Sequence, residues 1–372
     1  MEVRHVRSQG LHGGDVARVA LELGSDPNLI VDFSANINPR GLPSGAIQAL
    51  LRAAQDNGER LRYPDWRSHP LRSTLAQHLK VPIESVVLGA GASALITDSI
   101  RMVRPSRCLA FTPAFAEYRR ACDAIGAVFT GVPLGVDDQF KINIPRCVQL
   151  LRMQRPELLI LNNPHNPSGS LILASEIRVI LDVAIETGTK VLIDEAFIDY
   201  APEDQVTAEA STRPGVIAIR SLTKFYGCPG LRIGYAVAHP STAKQIERQM
   251  PAWPIGSIAL ETLSIAVQDR EYARITIAEN CHRRTSLADS LVELGFSTYP
   301  SAANFLLVRL PPNHLDSTQV REQLLVRHHI LVRDCVSFEG LQDGRHMRLA
   351  VLTADRNRLL TEALSEVGSC GR

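Results

Sequence analysis

The sequence predicts an α/β protein, and three observations carry the expectation. Seven short apolar runs recur from residue 86 onward, amphipathic stretches lie between them, and the pattern changes after about residue 250. The runs are Val86-Val-Leu-Gly, Cys108-Leu-Ala-Phe, Ala127-Val-Phe-Thr, Leu158-Leu-Ile-Leu, Val191-Leu-Ile-Asp, Val216-Ile-Ala-Ile and Ile233-Gly-Tyr-Ala-Val. Apolar runs this short, separated by helical stretches, read as buried strands of a mainly parallel seven-stranded sheet. Between two of them Ile177, Ile180, Leu181 and Ala184 recur at helical spacing, and Gly188 supplies a stop. Segment 173–187 is therefore expected to be a crossover helix.

Beyond residue 250 the stretches 257–268 and 272–294 are helical in pattern, and alternating runs follow at Asn304-Phe-Leu-Leu-Val and Met347-Arg-Leu-Ala-Val. A few strands with helices on one face make a smaller α+β domain, with Pro251 and Pro254 flanking a hinge. The first 40 residues hold His12-Gly-Gly-Asp and Asp32-Phe-Ser-Ala-Asn-Ile-Asn-Pro. These segments are too polar and glycine-rich for a core and read as a loop or arm. The expected division is an arm over 1–40, a large domain over 41–250 and a small domain over 251–372. At about 150 residues per domain, a length of 372 accommodates it.

Composition removes several classes of function. The chain carries 40 Lys and Arg against 39 Asp and Glu, a net charge of +1, which leaves no general field for nucleic acid or anionic lipid. No apolar run approaches the roughly 18 residues of a spanning helix, and Met1-Glu-Val-Arg-His-Val-Arg has no apolar leader core. Cys108, Cys122, Cys147, Cys228, Cys281, Cys335 and Cys370 are odd in number and form no C-x-x-C pair. That usage fits reduced thiols in the cytoplasm better than a disulfide or zinc framework, and no metal site is expected.

The strongest local signal is Ser221-Leu-Thr-Lys224-Phe-Tyr-Gly-Cys-Pro-Gly-Leu-Arg232, directly after the strand expected to end at Arg220. A lysine leaving a sheet edge, with the hydroxyls of Ser221 and Thr223 before it and Arg232 beyond, fits a Schiff-base lysine beside an anion pocket. Upstream, Asp194 follows Val191-Leu-Ile, at the strand end where ligands bind in open α/β sheets. A carboxylate buried there needs a cationic partner such as a protonated ring nitrogen; alone it would also serve as a helix cap. In Asn163-Pro-His-Asn166-Pro-Ser-Gly turn chemistry is one reading, and Asn166 donating to a phenolate oxygen is the other. Gly89-Ala-Gly-Ala92-Ser93 precedes a helix expected from about Ala94, whose free N–H groups suit a phosphate. Phe115 and Tyr118 follow a strand, where aromatics either fill the core or stack on a cofactor ring.

In this order and spacing the five elements resemble the fold-type I pyridoxal-phosphate enzymes of the class I/II aminotransferase superfamily, over nearly the whole chain. The resemblance implies pyridoxal 5'-phosphate as cofactor, held covalently by Lys224, with Asp194 on the ring nitrogen and Asn166 on the 3-oxygen. It places Ala92, Ser93, Ser221 and Arg232 around the cofactor phosphate, and Phe115 and Thr223 complete the cofactor-binding set. Tyr63, in Arg62-Tyr-Pro-Asp, matches the position from which the family sends a tyrosine across a homodimer interface to that phosphate.

More narrowly, His12-Gly-Gly, the Asp32 block, Phe115-Ala-Glu-Tyr, Asp194-Glu-Ala-Phe-Ile-Asp and Arg220-Ser-Leu-Thr-Lys-Phe-Tyr are similar to the threonine-phosphate decarboxylase family of cobalamin biosynthesis. That family is close to the histidinol-phosphate aminotransferases. The resemblance implies a small phosphorylated amino acid as substrate, with Arg348 on its α-carboxylate, Arg333 on its phosphate, and His12 and Asn36 as helpers. It implies decarboxylation of L-threonine O-3-phosphate or, on the neighbouring pattern, transamination of histidinol phosphate or a related compound. The chain departs from the pattern at Ala90, Ala92 and Ala94, where the decarboxylases usually carry Asn and Glu, and at His165, which replaces a more common Asn.

Overall fold

The structure is a computed structural model and describes residues 12–56, 58, 62–67 and 69–369. The first 11 residues of the expected arm, with the leader reading that falls on them, and Cys370 lie outside the described residues.

A two-residue strand, β1 (Val31–Asp32), comes first. Seven more follow: β2 (Val86–Gly89), β3 (Arg107–Thr112), β4 (Val128–Pro133), β5 (Leu158–Asn162), β6 (Lys190–Asp194), β7 (Val216–Ser221) and β8 (Gly234–Ala238). They make one sheet in the order β2-β8-β7-β6-β5-β3-β4, so the mainly parallel seven-stranded sheet is present. β3 to β7 run parallel, whereas β8 is antiparallel to both neighbours. The segment joining β7 to β8 holds only the helix Leu222–Phe225 and a short turn of 3-10 helix, enough for a return but short for a crossover. β5, β7 and β8 are buried along their whole length, which is why they read as continuous apolar runs. The edge strand β4 alternates in exposure instead.

The helix Ala174–Thr187 carries β5 to β6, and Gly188 ends it at φ 73°, donating its N–H to Ala184 and Ile185 carbonyls. That is the crossover expected.

Five further strands are β9 (Ser297–Thr298), β10 (Phe305–Arg309), β11 (Ile330–Leu331), β12 (Arg333–Asp334) and β13 (His346–Ala350). Four of them form an antiparallel sheet, β12-β13-β10-β9, whose core includes Leu291, Leu324, Leu349 and Leu360. β11 instead pairs in parallel with β1.

The two segments read as a loop or arm run as loops over 12–15 and 33–39, but the unexpected helix Val16–Leu23 lies between them and β1 opens the second. Val19, Ala20 and Ile30 pack on Leu325 and Leu331, and Phe33 enters the small sheet's core. Val16, Val19, Ala20 and Leu23 have helical spacing, a signal masked by the flanking glycines. A second difference concerns the helix Ser257–Ala266, which packs on the helix Ser44–Gln55. Its Leu260 and Leu263 belong to the core under the large sheet, so packing continues past residue 250. Among the described residues no helix is long and apolar enough to cross a membrane.

Candidate active site

The carboxyl ends of β5, β6 and β7 bring Asn162, Asp194 and Ser221 to one edge of the sheet, where open α/β folds bind ligands. A cavity of about 400 Å³ opens there. It is lined by Ala92, Ser93, Phe115, Asn166, Asp194, Ser221, Thr223, Lys224 and Arg232, and also by His12, Asn36, Arg333 and Arg348. Of the residues expected to bind cofactor or substrate, Tyr63 is the one that does not line the cavity. It is 75% exposed, with its ring stacked 4.0 Å from that of Trp253.

Lys224 stands in the helix Leu222–Phe225, and its carbonyl accepts the Asn38 N–H at 3.1 Å. Burial pushes its amine down to about 8; the cationic Arg348 and Arg232 push the same way, against the pull of Asp32 and Asp194. Burial pushes Asp194 up, and its two oxygens are held by donors that oppose this shift. Tyr118 Oη donates to Oδ2 at 2.5 Å and the Ala196 N–H donates to Oδ1 at 3.0 Å. Asn162 ties two of the motifs together. Its Nδ2 donates to the Asp194 carbonyl at 2.9 Å, and its Oδ1 accepts the Asn166 N–H at 2.7 Å.

Opposite this floor, Arg348 on β13 donates from Nη1 to Asn166 Oδ1 and from Nη2 to the Ser34 carbonyl, both at 2.7 Å. Burial, and then the charge of Arg333, lower it to about 10. Arg333 on β12 sits in register with Arg348, donates to Ser337 Oγ at 2.6 Å and lies over the Phe338 ring. The Ser34 loop is shaped by Asp32 Oδ1, which accepts the Ser34 N–H at 2.7 Å and its hydroxyl at 2.6 Å, an Asx turn. His12 Nε2 meets Glu117 Oε1 at 2.9 Å beside the Phe115 ring.

The helix Ala92–Val103 starts two residues earlier than expected. Gly91 precedes it at φ 87°, and a Cβ there would stand 2.7 Å from Arg232 Nη2. The glycine therefore lets the guanidinium approach the helix N-terminus, a cradle for an anion. Ser221 and Thr223 hydroxyls meet at 2.9 Å at the same end of the sheet.

The sequence reading missed Asn162, Ser34 and the contact from Tyr118 to Asp194. Asn162 had a signal, since a polar residue closes an apolar strand just before Asn163-Pro164. Ser34 lay within the Asp32 block, but its bond to Arg348, like that of Tyr118 to Asp194, joins partners remote in the chain and left no signal.

The model of the family described as aminotransferase class I and II matches residues 29–364. The chain is 33% identical over 362 residues to a threonine-phosphate decarboxylase of Salmonella typhimurium, with 96% of each chain covered. It is 30% identical over 342 residues to histidinol-phosphate aminotransferase 1 of Nitrosococcus oceani, covering 91% of this chain and 88% of that one. In fold it matches the crystal structure of histidinol-phosphate aminotransferase from Sinorhizobium meliloti in complex with pyridoxal-5'-phosphate, with a TM-score of 0.86 at 23% identity over 98% of this chain and 96% of that one. The residues present fit that cofactor: an amine of lowered basicity, a buried carboxylate and a glycine cradle that an arginine closes. The fold is that of fold-type I enzymes and the cofactor is pyridoxal 5'-phosphate; the chain belongs to the class I and II aminotransferase family.

Proposed function

We propose that this chain is a threonine-phosphate decarboxylase, which takes L-threonine O-3-phosphate and a proton to (R)-1-amino-2-propanol O-2-phosphate and carbon dioxide for cobalamin assembly. The observation that carries the reading is the side-by-side placement of Arg333 and Arg348 on paired strands, in the wall of the cavity that Lys224 and Asp194 also line. Two adjacent guanidinium groups suit a substrate bearing two anionic groups. The 33% identity to the Salmonella typhimurium protein, over 96% of both chains, supports the same substrate class.

In this reading Arg348 takes the α-carboxylate, while Arg333, with His12 and Asn36, takes the substrate phosphate. Lys224 holds the cofactor covalently, Asp194 faces its ring nitrogen, Asn166 its 3-oxygen and Phe115 its ring. Ser221, Thr223, Arg232 and the Ala92-Ser93 turn hold its phosphate. When bound, pyridoxal phosphate supplies an electron sink for the bond broken at Cα. The two arginines decide which bond that is, since anchoring carboxylate and phosphate at two points fixes how Cα is presented. The reading includes a cytoplasmic homodimer in which Tyr63 reaches the partner's cofactor phosphate. The exposure of its ring supports that role.

The test is mass spectrometry of products after incubating purified holoenzyme with L-threonine O-3-phosphate and no keto acid. Stoichiometric aminopropanol phosphate and carbon dioxide are expected. The alternative, transamination of histidinol phosphate or a related compound, is favoured by the 30% identity to the Nitrosococcus oceani protein. Turnover only after 2-oxoglutarate is added, with glutamate formed, would replace the decarboxylase by that aminotransferase.

A further inference from the structure

We propose that Tyr118 is a positioning residue that acts on the cofactor through Asp194: its phenol keeps the carboxylate ionised and aimed, so that the ring nitrogen stays protonated. The inference rests on the reading that Asp194 pairs with that nitrogen.

Tyr118 lies in the helix Ala116–Asp123 and is 1% exposed. A small void beside it is lined by Ala110, Phe111, Ile142 and Ile160, with Asn162 and His165 also on it, and the Phe115 ring is set edge-on at 5.7 Å. A phenylalanine would satisfy those contacts. A buried hydroxyl there costs free energy unless it is paired, and its partner is Asp194 Oδ2 at 2.5 Å.

The effect on Asp194 has a definite sign. Burial drives its carboxyl toward the protonated form, while the phenol and the Ala196 N–H favour the carboxylate. A carboxylate has about four acceptor positions, so these two donors leave capacity for the N–H of a ring. Removing the phenol raises the proton affinity of Asp194 further, and the proton shared with the ring nitrogen moves to the carboxyl. A ring without that proton is a weaker electron sink. Tyr118 thus acts on reactivity without touching substrate.

The experiment loads wild type and Tyr118→Phe with pyridoxal phosphate carrying ¹⁵N in the ring and records the ¹⁵N chemical shift of that atom by NMR. Wild type is expected to show a protonated nitrogen and Tyr118→Phe a shift toward the unprotonated value. In parallel kcat is expected to fall about 10-fold, with KM little changed. Two controls separate this from lost packing. In an Asp194→Asn background the Tyr118→Phe change should not move the ¹⁵N shift further. With a cofactor analogue bearing carbon in place of the ring nitrogen, it should no longer lower kcat. An unchanged ¹⁵N shift in Tyr118→Phe, or an equal kcat loss with the analogue, overturns the proposal and leaves the Asp194 assignment standing. An unprotonated ring in wild type overturns both.

Discussion

The cavity has a floor and a wall that are built differently. The floor comes from the ends of adjacent parallel strands, so Asn162, Asp194, Ser221 and Lys224 are set by one sheet and its backbone ladder. The wall is gathered from afar: Arg348 is 182 residues from Asn166 and 314 from Ser34, yet bonds to both. In the proposed reading a floor of this kind handles the cofactor and can serve many reactions, while the wall decides what is bound and which bond is presented and can change without disturbing the sheet.

The largest effect should come from the floor. Lys224→Ala is expected to abolish the visible absorbance of bound cofactor and to lower turnover by about 1,000-fold or more. Absorbance spectra of the two proteins beside a turnover assay check this. A variant that stays yellow and active would remove Lys224 from the chemistry.

Next come the two arginines, whose losses should differ in kind. Arg348→Ala is expected to reduce kcat/KM about 100-fold for any amino-acid substrate, since truncating one partner of a buried charge pair costs roughly 2–5 kcal/mol. Arg333→Ala should cost tens of fold for a phosphorylated substrate and little for its unphosphorylated analogue. Steady-state kinetics with threonine and threonine phosphate separate the two. Equal losses on both substrates for Arg333→Ala would take the phosphate away from that residue.

The same contrast explains what the sequence disclosed. Asp194 ends an apolar strand, Lys224 stands just past one and Arg232 just before the next, so local spacing exposed them as chemistry. Arg333 and Arg348 lie in strands of two and five residues and look like ordinary surface arginines. Only resemblance to a family marked them. The hydrogen bond from Tyr118 to Asp194 spans 76 residues and leaves no trace in any window of sequence. The helix Val16–Leu23 was lost for a different reason: polar and glycine-rich flanks outweighed its correct apolar spacing.

Floor and wall also meet electrostatically. Lys224 is lowered to about 8 by burial and, next in size, by the charge of Arg348. The unprotonated amine is the nucleophile, so capture of pyridoxal phosphate by cofactor-free protein should quicken as pH rises through about 8. Arg348→Met removes a cation and should move that midpoint upward. Stopped-flow absorbance across a pH series measures both, and a midpoint unmoved by the substitution would uncouple the two regions.

The smallest effect should fall on the scaffold beneath the floor. Gly188 ends the crossover helix at φ 73°, and a Cβ added there meets nothing within 4 Å. Gly188→Ala therefore pays only for a left-handed conformation, about 1 kcal/mol. Chemical denaturation should show that loss of stability. The ratio of kcat/KM for phosphorylated over unphosphorylated substrate should stay at the wild-type value, because no wall residue is displaced. A changed ratio would mean that the helix between β5 and β6 sets the position of the arginines as well as the strand ends, and the separation of floor from wall would fail.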